Sequence, residues 1–496
     1  MSTSTHTSLD IDVPGLDQLF IGGQWVDPAS DRRVDVVMPS TEETLASVAD
    51  PATADADRAA QAARKAFEEG PWPTMSAAER VAGCRRLADA MSARMTDLNK
   101  AWIYEAGVTV AHAEMLNGAA SPMIWDYALE VAEKIGWEEP RATPTGDILL
   151  RREPVGPVLS IMTYNGPVPL MGMKVIPALL AGCPVVIKYA PESQLTSRII
   201  SDCVAEADLP EGVISALAAG TEVTRHLVGH QDIDMITLTG GPAIAVDVIK
   251  RSADRLARTL MELGGKAPAI IGEDADMDAV IASGLVDGCT GYQGQVCVTI
   301  SRILAPRGRY DEIVDVLAER YAALKVGDPF DPTSDRGPLA VERARERTEH
   351  YVAIAQEQGA KVATGGRRPP ELERGWYYEP TLLRDVTNDM TVAQEEVFGP
   401  VTCVIPYDGL DDAIRIANAT RFGLNAAVYM ADKDKAADVA RRIRAGAVSL
   451  NTVGVCLSEP FGGLKQSGWG RECGPEGILE FTDIKQILLG GSYLDA

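Results

Sequence analysis

Between residues 184 and 265 the chain repeats one pattern that few folds accommodate: a short apolar run, a longer run with helical spacing, then another apolar run. PVVIKYA (184–190), VISALAA (213–219), MITLTGG (235–241) and RTLMELGG (258–265) read as buried strands, because they are short and apolar on both faces. ESQLTSRIISDCVAEA (192–207), TEVTRHLVGH (221–230) and PAIAVDVIKRSADRL (242–256) read as the helices between them. This alternation demands a parallel sheet covered on both faces. Such sheets bind ligands at the carboxyl ends of their strands.

A second alternation follows: SRILAP, YDEIVDVLAERYAAL, RARERTEHYVAIAQEQG, VTCVIPYD, LDDAIRIANAT, AAVYMAD, DKAADVARRIRAG and AVSLNT. Two α/β domains are therefore expected, with the segment from Asp57 to about Ile135 mostly helical. DILLRREPVGPV (147–158) alternates like an exposed strand pair, an edge that another subunit tends to cover.

Charge limits the partners. With 47 Lys+Arg against 71 Asp+Glu, the net charge of −24 and the absence of any basic run oppose binding to nucleic acid or to an anionic membrane. No apolar stretch nears the about 18 residues that a membrane helix needs, and MSTSTHTSLDIDVPG lacks the basic-then-apolar order of a signal peptide. A cytoplasmic protein acting on small molecules or pairing with its own copies is expected. The eight cysteines form no CxxC pair, so neither a disulfide framework nor a zinc site is indicated. His226 and His230 stand four apart on a helix, but no third ligand is apparent from sequence, and no metal is expected.

The remaining signals are local. LTGGPAIA (238–245) places two glycines and Pro242 at the start of a helix, an arrangement suited to a phosphate but equally to an ordinary turn. GYQGQVCVTISR (291–302) puts Cys297 just after a Gly-Gln pair, either as one more packed thiol or as a nucleophile on a turn.

Four further stretches, TYNGP (163–167), MELGGK (261–266), EEVFGP (395–400) and PFGGLKQSG (460–468), join GQVC (294–297). Together and in order they resemble the aldehyde dehydrogenase superfamily, and the resemblance runs from LFIGGQWVDP (19–28) through AAQAARKAF and GPW (70–72) to LEFTDIK near the C-terminus. The resemblance implies two doubly wound parallel-sheet domains and a small β flap for oligomerisation. These are a Rossmann-like cofactor domain over 1–135 and 156–261, a catalytic domain over 262–465, and the flap and tail over 136–155 and 466–496. It implies a homodimer or homotetramer.

The same resemblance assigns roles. Cys297 matches the nucleophile, Asn165 the side-chain donor to the oxyanion and Glu262 the general base that activates water. Lys188 matches the lysine on the adenosine ribose, Gly240 and Gly241 the pyrophosphate turn, and Glu396 with Phe398 the pair at the nicotinamide ribose and ring. Ile161, Met162, Thr163 and Tyr164 would line the cofactor by backbone contacts, and Leu263 would contact the nicotinamide amide. Glu192, Gly220, Thr239 and Ile244 complete the expected set.

Three departures stand out. Pro191 occupies the place of an acidic residue that usually grips the ribose, with Glu192 one position later; a nearby carboxylate and no added arginine still favour NAD over NADP. Gly241 and Ala245 replace the Ser and the second Gly common in the pyrophosphate turn. Gly166, Met173 and Cys456 replace large rings, so a wide apolar tunnel is expected from Gly166, Met173, Val298, Val453, Cys456, Leu457 and Phe461, suited to a medium or bulky hydrophobic aldehyde. The competing readings are a CoA-acylating enzyme, a catalytically silent member retained for binding, and a cysteine hydrolase. The presence of Glu262, the intact trio and the lack of a motif histidine count against them in turn.

Overall fold

The computed structural model describes residues 9–490. The ends of the spans expected at 1–135 and 466–496 lie partly outside them. The larger sheet has eight strands in the spatial order Gly468–Trp469, Arg258–Leu263, Met235–Gly240, Val158–Ile161, Val185–Tyr189, Ile214–Ala218, Leu19–Ile21 and Gln24–Val26. Its five central strands are parallel, and the edges are antiparallel. From Val158–Ile161 the chain builds outward through 185–189 and 214–218, then returns to the other side for 235–240 and 258–263. Adjacent connections therefore leave in opposite directions between Ile161 and Gly240, and this reversal opens a crevice at the carboxyl ends.

Both faces are covered, as the apolar strands require. Helix Thr53–Glu68 presents Ala56, Ala59, Ala60 and Ala63 to one face beside Val223, Leu227 and Val248, and its small side chains let the helix lie close to the sheet. Ala77–Ala93 and Gln194–Glu206 cover the other face through Leu87, Met91, Leu195 and Ile199.

The second sheet runs Lys361–Thr364, Thr381–Arg384, Val401–Tyr407, Ile300–Pro306, Ala267–Ile271, Asn425–Tyr429 and Ala447–Leu450, parallel except at the first pair. Ala267–Ile271 lies inside this sheet and escapes a sequence reading, because Pro268 breaks the strand pattern; the structure accommodates it at a register shift between Ala267 and Pro268.

A three-stranded antiparallel flap joins Thr482–Leu488, Gly146–Pro154 and Glu138–Thr143. The strand pair expected within 147–158 is corrected here. Residues 146–154 form one long strand whose partners come from either side in sequence, while Val158 is fully buried in the larger sheet. Among the described residues no helix is long and apolar enough to cross a membrane.

Candidate active site

Cys297 is delivered by a strained turn. Helix Leu285–Thr290 ends, and Tyr292, Gln293 and Gly294 follow with φ of 45°, 54° and 67°. Such left-handed residues cost free energy and persist only where neighbours enforce them. Gln293 Nε2 donates to the carbonyls of Gly337 (2.7 Å) and Tyr378 (3.0 Å), while Gln295 Oε1 accepts from the Ala340 amide at 3.1 Å. A side chain at Gly294 would stand 2.3 Å from the Gly399 carbonyl oxygen, so only glycine lets the turn press against the loop that carries Glu396 and Phe398. The Gly-Gln pair thus fixes where the cysteine emerges.

Asn165 follows the strand Val158–Ile161. Its Oδ1 accepts from the Thr163 hydroxyl at 2.6 Å and its Nδ2 donates to the Gln295 carbonyl at 2.8 Å. The amide is therefore held in one orientation with a second N–H left to give. Glu262 lies at the carboxyl end of Arg258–Leu263, only 3% exposed, and its Oε1 has no protein partner among the described residues. Three residues from three separate elements, Asn165, Glu262 and Cys297, face one cleft of about 410 Å³.

Charge is expensive in this cleft. Burial, and next the Glu262 carboxylate, hold the Cys297 thiol well above the usual thiol range. Burial and the Glu472 carboxylate hold Glu262 well above the usual carboxylate range, with Lys174 opposing them. Lys174 and Glu472 form an ion pair with side chains 0% and 1% exposed, and Lys174 Nζ also donates to Thr237 Oγ1 at 2.9 Å. Sequence offered no signal for this pair, whose members lie 298 residues apart.

The rest of the cleft is lined by Thr163, Tyr164, Thr239, Gly240, Gly241, Ile244, Leu263, Gly264, Glu396, Phe398 and the start of helix Glu342–Glu357. Glu396 accepts from the Gly265 amide at 3.1 Å, and a side chain at Gly264 would fall 2.0 Å from its carboxylate. Phe398 has Tyr164 edge-on at 6.4 Å and the Arg347 guanidinium 5.9 Å from its ring centroid. Gly241 caps helix Pro242–Ser252, whose amino end opens on the cleft, and Thr239 Oγ1 is buried there without a partner among the described residues.

Comparison with known proteins identifies the family. The model of the aldehyde dehydrogenase family matches residues 25–487. The chain belongs to the aldehyde dehydrogenase family. It is 39% identical over 474 residues to a geranial dehydrogenase of Castellaniella defragrans, covering 95% of this chain and 98% of that one. It is 33% identical to the betaine aldehyde dehydrogenase of Bacillus subtilis, covering 95% and 96%. The solved Mycobacterium tuberculosis aldehyde dehydrogenase complexed with NAD+ superposes with a TM-score of 0.94 at 42% identity, covering 96% and 99%.

Within this aldehyde dehydrogenase fold the remaining expected residues separate. Ile161 and Met162 turn their side chains into the two cores flanking the sheet, leaving only backbone for a ligand. Lys188 is buried at the end of its strand, and burial pulls its amine down to about 8. Gly220 has open space where a side chain would stand. Glu192 does not lie free beside the cleft: it is paired with Arg343, which lines it. The expectation of no added arginine is corrected accordingly, because the start of helix 342–357 brings Arg343 and Arg347 to the site from 151 residues beyond Glu192 and further.

The expected tunnel residues do not line this cleft. Met173, Val298, Leu457 and Phe461 share the hydrophobic cluster that Cys297 also packs against. Gly166 starts the short helix Pro167–Leu170 directly after Asn165. Val453 packs instead on Gly284 and Gly288 in the other domain's core, and Cys456 is exposed. Cys289 is a fully buried core thiol.

Proposed function

We propose that the protein oxidises an aldehyde to the carboxylic acid with NAD+ as hydride acceptor, and that Cys297, Asn165 and Glu262 perform the chemistry. The convergence of these three side chains on one cleft carries the reading. The bare floor at Gly240 and Gly241, the orphaned Thr239 hydroxyl and the Gly264 contact with Glu396 fit a dinucleotide, as does the resemblance to an NAD+-complexed relative. Lys188 and the helix amino end would hold its adenosine and phosphate portion, with Glu396 and Phe398 at the nicotinamide end. Bound there, NAD+ supplies the hydride acceptor and a nearby positive charge.

Glu262 takes the Cys297 thiol proton and passes it to solvent, and the thiolate adds to the aldehyde carbon, giving a tetrahedral alkoxide. Asn165 Nδ2 and the Cys297 backbone N–H donate to that oxygen; one such donor is typically worth about 10²–10³ in rate. Loss of hydride leaves a thioester on Cys297. Glu262 takes a proton from water, the hydroxide attacks the thioester, and carboxylate leaves as the thiolate re-forms. Burial and the Glu472 carboxylate hold the Glu262 pKa above the usual carboxylate range, which makes it a stronger proton acceptor than an exposed carboxylate.

The substrate is a medium or bulky hydrophobic aldehyde. Small or flexible residues at Gly166 and Met173, the apolar cluster that Val298, Leu457 and Phe461 share with Cys297, and a relative named for geranial support this assignment. The protein acts as a homodimer or homotetramer in the cytoplasm. The open edge strands Glu138–Thr143 and Ala447–Leu450 and the exposed Ile484 and Leu488 on the flap support self-association.

The test follows reduced nicotinamide by absorbance against acetaldehyde, succinic semialdehyde, benzaldehyde, citral and decanal without CoA. Steady turnover is expected for wild type, none for Cys297→Ala, and a single burst for Glu262→Gln. Turnover that requires CoA, or survives in Cys297→Ala, overturns the mechanism. Comparable turnover of succinic semialdehyde and decanal overturns the substrate class.

A further inference from the structure

Far from the cleft in sequence, three potential metal ligands meet on the outer face of the larger sheet. His226 lies in helix Thr221–Gly229 and His230 caps its end, while Asp57 sits in the first turns of helix Thr53–Glu68. His226 Nε2 is 2.5 Å and His230 Nε2 3.2 Å from the same oxygen, Asp57 Oδ1. The ligand atoms of all three lie within 4.8 Å of one another. The sequence displayed the two histidines at a one-turn spacing; the third group, 169 residues from His226, comes only with the fold.

We propose that Asp57, His226 and His230 form a site for a divalent transition-metal ion such as zinc, clasping the two helices together. Two imidazoles and one carboxylate suit zinc, nickel, cobalt or copper, and exclude a preference for magnesium or calcium, which take all-oxygen shells. Metal–nitrogen and metal–oxygen bonds of about 2.0–2.2 Å put adjacent ligand atoms roughly 3.0–3.5 Å apart. The His230–Asp57 separation already meets that requirement, and the shorter His226–Asp57 contact is a hydrogen bond that opens by about half an ångström as metal replaces the proton.

The surroundings match what such a site needs. His230 Nδ1, the nitrogen pointing away from Asp57, accepts a hydrogen bond from the Asp232 amide at 3.2 Å, which fixes the ring and leaves Nε2 turned toward Asp57. His230 is mostly buried and so held in place, whereas His226 and Asp57 are about two-fifths exposed, leaving an entry path and room for water on the remaining coordination positions. Helix 221–229 begins immediately after Gly220 at the carboxyl end of strand Ile214–Ala218, and His226 and His230 lie in its last turn and at its C-terminal cap, so a clasp here ties helix to helix away from that start and without touching Cys297 or Glu262. The inference rests on the fold and stands whatever the substrate.

Full-length protein, stripped with a chelator, would be dialysed against zinc and assayed for bound metal and for its thermal midpoint, alongside Asp57→Asn, His226→Gln and His230→Asn. Wild type is expected to hold one more equivalent than any of the three, and to gain a zinc-dependent rise in midpoint that chelation reverses and all three variants lose. Aldehyde oxidation in the absence of added metal should match wild type, showing that the variants fold. Cobalt(II) separates this site from the free cysteines: visible absorption without a thiolate charge-transfer band is expected in wild type, and its loss in His226→Gln. Equal zinc stoichiometry and equal midpoint shifts in wild type and all variants overturn the proposal, as does a cobalt spectrum carrying thiolate bands alone.

Discussion

Replacing Lys174 by methionine tests the electrostatic account of the site most directly. The ammonium is fully buried, and its removal leaves Glu472 Oε1 without its cation while Oε2 already lacks a partner among the described residues. Breaking one side of a buried ion pair typically costs about 3–5 kcal/mol, and that is the loss expected in urea unfolding above neutral pH. The loss has a definite pH dependence. Burial already raises the Glu472 pKa and Lys174 lowers it, so the variant's carboxyl rises further above its unfolded value. A group with a raised folded pKa binds more protons when folded, so stability falls as pH rises, at up to about 1.4 kcal/mol per pH unit between the unfolded and folded pKa values. The variant should therefore approach wild type near about pH 5 and diverge toward pH 8. Adding Glu472→Leu should restore most of the loss, because removing both charges leaves no unpaired carboxylate. A Lys174→Met loss below about 1 kcal/mol with no pH trend, or a double variant no better than the single, would refute the reasoning.

Other consequences are separately measurable. Glu472→Gln removes a charge that raises Glu262 while leaving the opposing Lys174, so the acidic limb of the pH–kcat profile should move to lower pH. Without cofactor, inactivation by iodoacetamide should keep rising through the alkaline range, because burial and Glu262 hold the Cys297 thiol high; Glu262→Gln should shift that rise to lower pH. Arg343→Ala frees the Glu192 carboxylate and should raise the NAD-over-NADP ratio of kcat/KM about fivefold, with Glu192→Gln lowering it by a similar factor, modest values because Arg343 is largely exposed. Ile484→Asp, on the outward side of the flap, should lower the sedimentation coefficient while leaving the far-ultraviolet circular dichroism unchanged.

Much of this protein is legible in one dimension because the physics that sets it is local. Buried parallel strands must be continuously apolar, and helices that cover them must be apolar every three or four residues, so the order of strands and helices from 184 to 265 follows from the sequence pattern. Where local rules conflict the pattern fails: Pro268 disguises an interior strand, and an exposed-looking alternation after Asp147 merges a flap strand with Val158 of the main sheet. Cys297, Glu262 and Asn165, the proposed nucleophile, base and amide donor, were visible as short motifs, since each sits where a strand or turn ends and the chain around it is constrained.

Pairing across long separations was not visible at all. The cation that supports Glu472 comes from Lys174, the partner of Glu192 from Arg343, and the third ligand beside His226 and His230 from Asp57. Each partner looks, in sequence, like an ordinary residue of its own element. A side chain's charge state and partners depend on the burial and distance that only packing assigns, so sequence by itself determined the fold class and pointed to Cys297, Glu262 and Asn165, and tertiary structure alone decided which charges those residues feel.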